Sequence, residues 1–335
     1  MRPVIGLDVG GANTKAAVVD GDDRVQVASE PFEVWRQPEG MAEAIAAVVA
    51  RLGFDDAPVA LTTTAELADV FASKREGVLY VLDAARQALP GRRLRVLTTS
   101  GELVGIREAR RAPLSCAAAN WVATALLVAR WLPDAVLVDC GGTTTDLIPI
   151  LAGEIAARGR TDVERLLAGE LVYTGALRTN IAAVLSHVPI GGRSCPVSSE
   201  LFAISADAHL LRGNLRREQC TCTFPDARGT SPGEVRSRLA RVVCADPEQL
   251  APGDLEAIAA AVEEAQVASI AAALARVAGR LPAPLPVVAV GVGAFLARAA
   301  AERCGLTIHP GSGTPLGGEG GEVAAAVALS VLGRE

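Results

Sequence analysis

The sequence predicts an α/β fold made of two related lobes. Three observations lead there. Short apolar, β-branched runs that stop at glycines alternate with alanine-rich stretches of helical periodicity. An aspartate–glycine turn near the N-terminus returns in register later in the chain. The length, 335 residues, exceeds what one ordinary core fills.

Residues 4–9 form an apolar run ending at Gly10, a buried strand. Residues 15–20 are a second strand, and Gly21-Asp22-Asp23 makes its turn. Helical periodicity covers residues 41–52, a strand residues 59–63, and a helix residues 79–88. Residues 115–131 read as one long, alanine-rich, largely buried helix. Residues 135–138 open a new strand, and Asp8-Val9-Gly10-Gly11-Ala12-Asn13-Thr14 is then echoed by Asp139-Cys140-Gly141-Gly142-Thr143-Thr144-Thr145. The aspartate, both glycines and the final threonine match at an offset of 131 residues (139 minus 8), far too long for a solenoid repeat. This places a first lobe at residues 1–132 and a second at 133–335. The less regular stretch 181–252, with Gly191-Gly192, several cysteines and a Pro/Gly/Thr-rich segment at 225–233, reads as an insertion in the second lobe. An amphipathic helix at 254–280 starts at Gly253-Asp254 and is ended by Pro282, Pro284 and Pro286. A strand at 286–290, a helix at 294–304 and a closing helix at 322–332 complete the chain, with no appended domain before Glu335.

Composition narrows the function classes. Half of the chain is hydrophobic but only 3% aromatic, so alanine, valine and leucine fill the cores. A net charge of -6 argues against nucleic acid, whose binders carry a basic face, and leaves small phosphorylated ligands open. Seven cysteines without framework spacing indicate reduced thiols and a cytoplasmic protein. Met1-Arg2-Pro3-Val4 leads straight into a strand without a signal peptide. The apolar stretch 117–132 is broken by Arg130 and lacks the ~20 residues of a membrane span, so no membrane partner is expected.

The first turn reads D-x-G-G-x-x-T-K. Asp8 at a strand end can hold a metal ion or its water shell. Gly10 and Gly11 allow a sharp turn and close ligand approach. Their amides, with Asn13 and Thr14, can form an anion nest, to which Lys15 adds a positive charge. Taken alone, an ordinary Asp-Gly hairpin explains the same residues. The second turn repeats the design in Asp139, Gly141, Gly142, Thr143, Thr144 and Thr145, and adds a carboxylate, Asp146. A third element, residues 287–290 followed by Gly291-Val292-Gly293 and a helix, is a strand–turn–helix junction suited to a ring or a phosphate.

The order of these pieces resembles the actin, sugar-kinase and heat-shock-chaperone ATPase superfamily, which implies a two-lobed actin-like (ribonuclease H-like) fold. There, two such hairpins clamp phosphates and metal from opposite lobes, and the resemblance implies that the two turns face each other across one cleft. By it, Lys15 matches the phosphate lysine, and Asp8 and Asp139 match paired metal-facing aspartates, with Mg2+ as the cofactor. Gly291 and Gly293 depart from the superfamily's adjacent glycines at the adenosine turn, and are kept as a nucleotide-ring or substrate pocket. Gly175-Ala176-Leu177-Arg178-Thr179 and Ser205-Ala206-Asp207-Ala208-His209-Leu210-Leu211-Arg212-Gly213 are similar to segments of the hydantoinase/oxoprolinase family. With residues 6–15 and 62–69 the chain resembles a small branch of it linked to tetrahydromethanopterin-dependent one-carbon metabolism. Archaeal members of that branch are methanofuran-biosynthesis synthases that join an aminomethylfuran methyl diphosphate to the phenol of γ-glutamyltyramine and release diphosphate.

The resemblance therefore implies a diphosphate-releasing transferase acting on small molecules, a furan diphosphate and a phenolic amine or amino acid, without consuming ATP. Lys15, Asp139 and Asp146 are its candidate catalytic residues. Asp8, Gly10, Gly11, Asn13, Thr14, Lys15, Gly141, Gly142, Thr143, Thr144 and Thr145 are its candidate diphosphate binders. A phenol, with a pKa of about 10, needs a base or a cationic neighbour to attack at neutral pH, and the leaving diphosphate needs charge neutralisation. Two other readings stay open: an ATP-dependent kinase or amide hydrolase, and a non-catalytic nucleotide-gated binding protein. The phenolic acceptor and the oligomeric state also stay open. Cys195, Cys220, Cys222 and Cys244 are read as structural or incidental thiols, because C-x-C is tighter than structural zinc spacing, with His187 as a packed or surface histidine and His209 on a helix that covers a subdomain. Glu66 and Asp69 follow a strand end, where a ligand role and plain capping are equally good explanations. Arg107, Arg110 and Arg111 form a solvated basic cluster able to draw in an acidic substrate.

Overall fold

β-branched runs bounded by glycine become strands, and alanine-rich stretches cover them. The computed structural model describes residues 3–311 and 314–334. Met1 and Arg2 of the expected N-terminal entry, Ser312, Gly313 and the last residue, Glu335, lie outside the described residues. The first half runs β1 (Ile5–Val9), β2 (Asn13–Val19), β3 (Val25–Pro31), α1 (Met41–Ala50), β4 (Val59–Thr63), α2 (Lys74–Ala88), β5 (Leu94–Leu97), β6 (Leu103–Gly105), α3 (Ile106–Arg111) and α4 (Asn120–Trp131). The second half opens with β7 (Ala135–Cys140), β8 (Thr145–Leu151), β9 (Glu154–Ile155), α5 (Asp162–Ala168), β10 (Leu171–Val172) and α6 (Ile181–Val184). It continues with β11 (His187–Ile190), β12 (Arg193–Pro196), α7 (Ser205–Arg212), α8 (Pro232–Arg241) and α9 (Asp254–Ala278), then β13 (Val287–Val290), α10 (Ala294–Arg303), β14 (Ile308–His309), α11 (Glu319–Glu322) and α12 (Ala324–Leu332). The chain forms two compact units, Met1–Leu137 with Ile148–Ala168 and Pro310–Glu335, and Val138–Leu147 with Gly169–His309.

In the first unit the strand order is β3-β2-β1-β4-β5-β6. β1 runs antiparallel to β2 and parallel to β4. Ile5, Leu7 and Val9 alternate onto one face, where they join Leu61, Val81 and Leu82 in a core under α1 and α2. Gly6 lies on the other face, under α12. A Cβ at Gly6 would stand 1.8 Å from the Ala326 carbonyl oxygen, so this strand admits α12 only with glycine there. Ser330 pins that helix, accepting from the Val19 amide at 2.9 Å and donating to the Val4 carbonyl at 2.7 Å.

Two boundaries differ most from expectation. α2 begins at Lys74 because the Ser73 hydroxyl accepts from the Glu76 amide and caps the helix. The expected helix at 115–131 is broken. Pro113–Cys116 make a single tight turn, Ala117 bridges to Thr63 as a strand neighbour, and Ala118 takes φ 49 before α4 starts.

The second sheet has the order β10-β8-β7-β13-β14, with β9 on β8, and the unit boundary passes along β7 and β8. The irregular stretch of the second unit is held by specific contacts. Gly191 and Gly192, at φ 55 and 74, turn the β11–β12 hairpin. Asp254 accepts from the Gly191 and Ala251 amides at 2.9 and 3.0 Å, tying that hairpin to the start of α9. Arg238, fully buried, bonds Asp207 at 2.8 Å, Asp226 at 3.0 Å and the Gly229 carbonyl at 3.0 Å, over the Phe224 ring. Among the described residues α9 alone is long and apolar enough to cross a membrane, but half of its most apolar stretch is buried, as in a core helix beside α7 and α10.

Candidate active site

β1 and β4 run parallel, so their C-terminal ends emerge together, the usual place for ligands in α/β sheets. Here the first turn forms. The Gly10 amide donates to the Asn13 carbonyl at 2.9 Å, and a Cβ at Gly10 would sit 2.8 Å from that same oxygen. The closure leaves the Gly11 and Ala12 amides without a protein acceptor among the described residues. Register places Asp8 opposite both Lys15 and Thr62, on one face of the sheet. Lys15 Nζ donates to the Glu322 carbonyl at 3.0 Å, which leaves further N–H donors on its ammonium. Burial raises the Asp8 carboxyl to about 6 against the opposing pull of Lys15. Asp8 Oδ1, Asn13 Oδ1, Thr14 Oγ1, Thr62 Oγ1 and Glu66 Oε1 are all buried without a hydrogen-bond partner among the described residues. Such orphaned oxygens are rare and require an explanation. Glu66, in the tight turn Ala65–Leu67 that follows β4, is raised to about 7, chiefly by burial.

The second turn is built in the same way. The Gly141 amide donates to the Thr144 carbonyl at 2.9 Å, and the Gly142 and Thr143 amides have no protein acceptor among the described residues. Asp139 is half-buried at the end of β7 and Asp146 is buried on β8, opposite Leu171 of β10. At the offset of 131, Asp146 occupies the place of Lys15 (146 minus 15), so the second turn carries a carboxylate where the first carries an ammonium. Thr145 donates to the Thr174 carbonyl at 2.7 Å. Gly291, at φ 88, lies where a Cβ would be 2.2 Å from the Cys140 carbonyl and 2.8 Å from Asp139 Oδ1. The Gly293 amide donates to that same Cys140 carbonyl at 2.8 Å. Both glycines are demanded by their close approach to the end of β7.

The structure thus gathers Asp8, Gly10, Gly11, Asn13, Thr14 and Lys15 in the first unit, and Asp139, Gly141 to Asp146, Gly291 and Gly293 in the second. Sequence reasoning missed Thr62 and the tether from Lys15 to Glu322. The parallel run of β4 beside β1 was the available signal for Thr62. It missed the support from Gly175 as well, whose hypothetical Cβ would be 2.5 Å from the Thr143 nitrogen. Among the described residues no three His, Cys, Asp or Glu side chains gather as a metal cage, and all seven cysteines are free. Magnesium is usually held by one or two carboxylates plus phosphate oxygens, and the unpartnered Asp8 Oδ1 fits that demand. His209 proves to be a fully buried, hydrogen-bonded residue, and Arg110 of the basic cluster pairs with Asp83.

The fold is that of the actin-like ATPases. A nucleotide-free structure described as ATP-dependent acetone carboxylase aligns with a TM-score of 0.65 over 98% of this chain and 70% of its own, at 13% identity. The ethanolamine utilization protein EutJ from Carboxydothermus hydrogenoformans aligns at 0.50 over 98% and 89%, at 16% identity. At such identities the likeness concerns the fold alone. The chain belongs to the hydantoinase/oxoprolinase family, which residues 58–330 match. Within it, the chain is similar to the (4-{4-[2-(gamma-L-glutamylamino)ethyl]phenoxymethyl}furan-2-yl)methanamine synthase of Methanocaldococcus jannaschii, 36% identical over 75% of this chain and 74% of that protein. The protein of the same name from Methanococcus vannielii is 37% identical over 35% of this chain and 52% of its own length.

Proposed function

We propose that this chain is a transferase of methanofuran-type cofactor biosynthesis. It joins an aminomethylfuran methyl diphosphate to the phenol oxygen of a tyramine- or tyrosine-type acceptor and releases diphosphate. The observation that carries the reading is the pair of like-built turns, each closed by one glycine amide and each offering unpartnered amides to an anion. The kinship with synthases whose named product contains a phenoxymethylfuran ether supplies the substrates.

In the reaction the phenol oxygen forms a bond to the furanylmethyl carbon. The bond from that carbon to the diphosphate oxygen breaks, and the diphosphate leaves with the electron pair. Each turn by itself offers donors to charge that grows on a leaving diphosphate, the Gly11 and Ala12 amides with the Lys15 ammonium in the first and the Gly142 and Thr143 amides in the second, and fixed donors accelerate a reaction most where charge develops. The phenolic proton goes to a carboxylate, for which Asp139 at the end of β7 is the candidate, with Asp146 beside it on β8. Magnesium, when bound at Asp8 or Asp139, neutralises phosphate charge. We place the enzyme in the cytoplasm, where seven free thiols remain reduced.

The test is a mass-spectrometric assay of the purified chain with the furan diphosphate, a phenolic acceptor and magnesium. Ether product and diphosphate are expected in equal amounts with ATP omitted. A stoichiometric requirement for ATP with release of ADP would overturn the reading in favour of an ATP-dependent kinase or amide hydrolase.

A further inference from the structure

We propose that Gln266 on α9, oriented by His209 on α7, is a positioning residue that holds the second turn in its anion-binding shape. The proposal rests on the function just given, and it concerns residues that touch neither substrate nor reacting atoms.

The chain of contacts begins at the turn. Behind Gly141 and Gly142 lies the segment from Gly175 to Arg178. The Ala176 amide donates to the Gly141 carbonyl at 2.9 Å, and the Leu177 and Arg178 amides donate to the Gly142 carbonyl at 3.0 and 2.8 Å. The Gly175 backbone is close enough to the Thr143 amide that a Cβ there would clash with it. Any shift of this segment therefore moves the amides offered to an anion.

Gly175 is held by its carbonyl, which accepts three side-chain donors. They are Thr179 Oγ1 at 3.1 Å, Ser205 Oγ at 2.9 Å and Gln266 Nε2 at 2.9 Å. Gln266 Nε2 also bonds Thr174 Oγ1 at 2.8 Å, and Thr174 contributes the carbonyl that receives Thr145 of the turn. Gln266 comes from a helix 91 residues further along the chain. It is fully buried, and an amide can serve these partners in one orientation only. A carbonyl such as that of Gly175 accepts and cannot donate, so Nε2 must face it and Oε1 must face away.

Oε1 meets His209 Nε2 at 2.8 Å, so that ring nitrogen carries the proton. Nδ1 then accepts from Asn214 Nδ2 at 3.4 Å. Burial pushes the imidazole down to about 4, so it is neutral and retains this tautomer at physiological pH. The Phe295 ring packs edge-on at 4.8 Å and fixes the imidazole plane. The path from Asn214 to His209, Gln266, Gly175 and the turn is continuous, and it is buried from His209 to Gly175. It also gives one physical purpose to the two segments around Gly175 and Ser205 that the phosphate chemistry leaves unused.

The experiment compares wild type with Gln266→Leu, which keeps bulk and removes all three hydrogen bonds of the amide. In a folded variant the KM for the furan diphosphate and the Ki for inorganic diphosphate rise together, about tenfold. The KM for the phenolic acceptor stays unchanged. This split is expected when binding to one substrate group is lost without a change in the other. Unchanged KM and Ki for the diphosphate ligands, or an equal loss toward both substrates, would overturn the proposal. Should Gln266→Leu fail to fold, His209→Phe decides by the same constants. It keeps a ring against Phe295 and removes the donor to Oε1, together with the half-buried Nδ1 acceptor for Asn214. An inactive wild type in the same assay would instead sink the functional reading, and the Ki for inorganic diphosphate, taken from competition binding, would still test the positioning role.

Discussion

Lys15 is tied at one donor to the Glu322 carbonyl, so its ammonium is held in place before any ligand arrives. Lys15→Ala is expected to lower turnover about 10²-fold or more, the scale of losing one donor to a leaving group. The fold should stay intact by circular dichroism, and near-normal rates in that variant would reduce Lys15 to a structural role. Glu66 makes a separate prediction. Folded, it holds its proton to about pH 7, whereas the unfolded chain releases it near 4.5. Between those values the folded state binds more protons, so stability falls as pH rises from about 4.5 to 7. Glu66→Gln should remove that fall, a difference of about 2–3 kcal/mol between pH 5 and pH 8 in urea unfolding. An unchanged pH dependence would show that the carboxyl ionises freely in the fold. The sequence placed Glu66 only after a strand end, where capping explained it equally well. Its burial, at 1% exposure, arises from the packing of α2, whose Gly77 lies against the Glu66 backbone.

Elements show where sequence patterns suffice and where they stop. β1, β2, β4, β7, α9 and α10 were legible because apolar period and glycine punctuation agree there. β10 and the β11–β12 hairpin were not legible, because strands of two and four residues carry too little pattern, although Gly191-Gly192 marked the turn. The break at Ala117–Ala118 was hidden inside an alanine-rich run whose propensity favours helix, and the bridge from Ala117 to Thr63 overrides it. α8 depends on a single buried cation. Arg238→Met leaves Asp207 buried without its cationic partner, with only the Ile204 amide donating to it, and should cost about 3–5 kcal/mol in chemical denaturation. Adding Asp207→Asn should recover part of that loss, and a cost below about 1 kcal/mol for the single variant would contradict the assigned network.

For the whole molecule, ligand binding should be coupled to folding. Inorganic diphosphate with magnesium is expected to raise the melting temperature, because a ligand at a hundred times its Kd adds about 2.7 kcal/mol to the native state. The rise should diminish in Lys15→Ala, and no rise in wild type at millimolar diphosphate would argue against an anion site. The sequence by itself determined the α/β class, the two aspartate–glycine turns with their shared register, and the family to which the chain belongs. These are local matters of residue type and spacing, and the chemistry of a tight turn that offers amides is written in four or five neighbouring residues. The tertiary structure alone decided that α12 lies on Gly6 and Ser330 pins it to the first strands. It alone brought Thr62 to Asp8, Glu322 to Lys15, and Gln266 to Gly175. Such contacts join residues 54 to 326 positions apart. The physical reason is that long-range packing and the satisfaction of buried polar groups depend on which surfaces meet, and neither period nor propensity encodes that meeting.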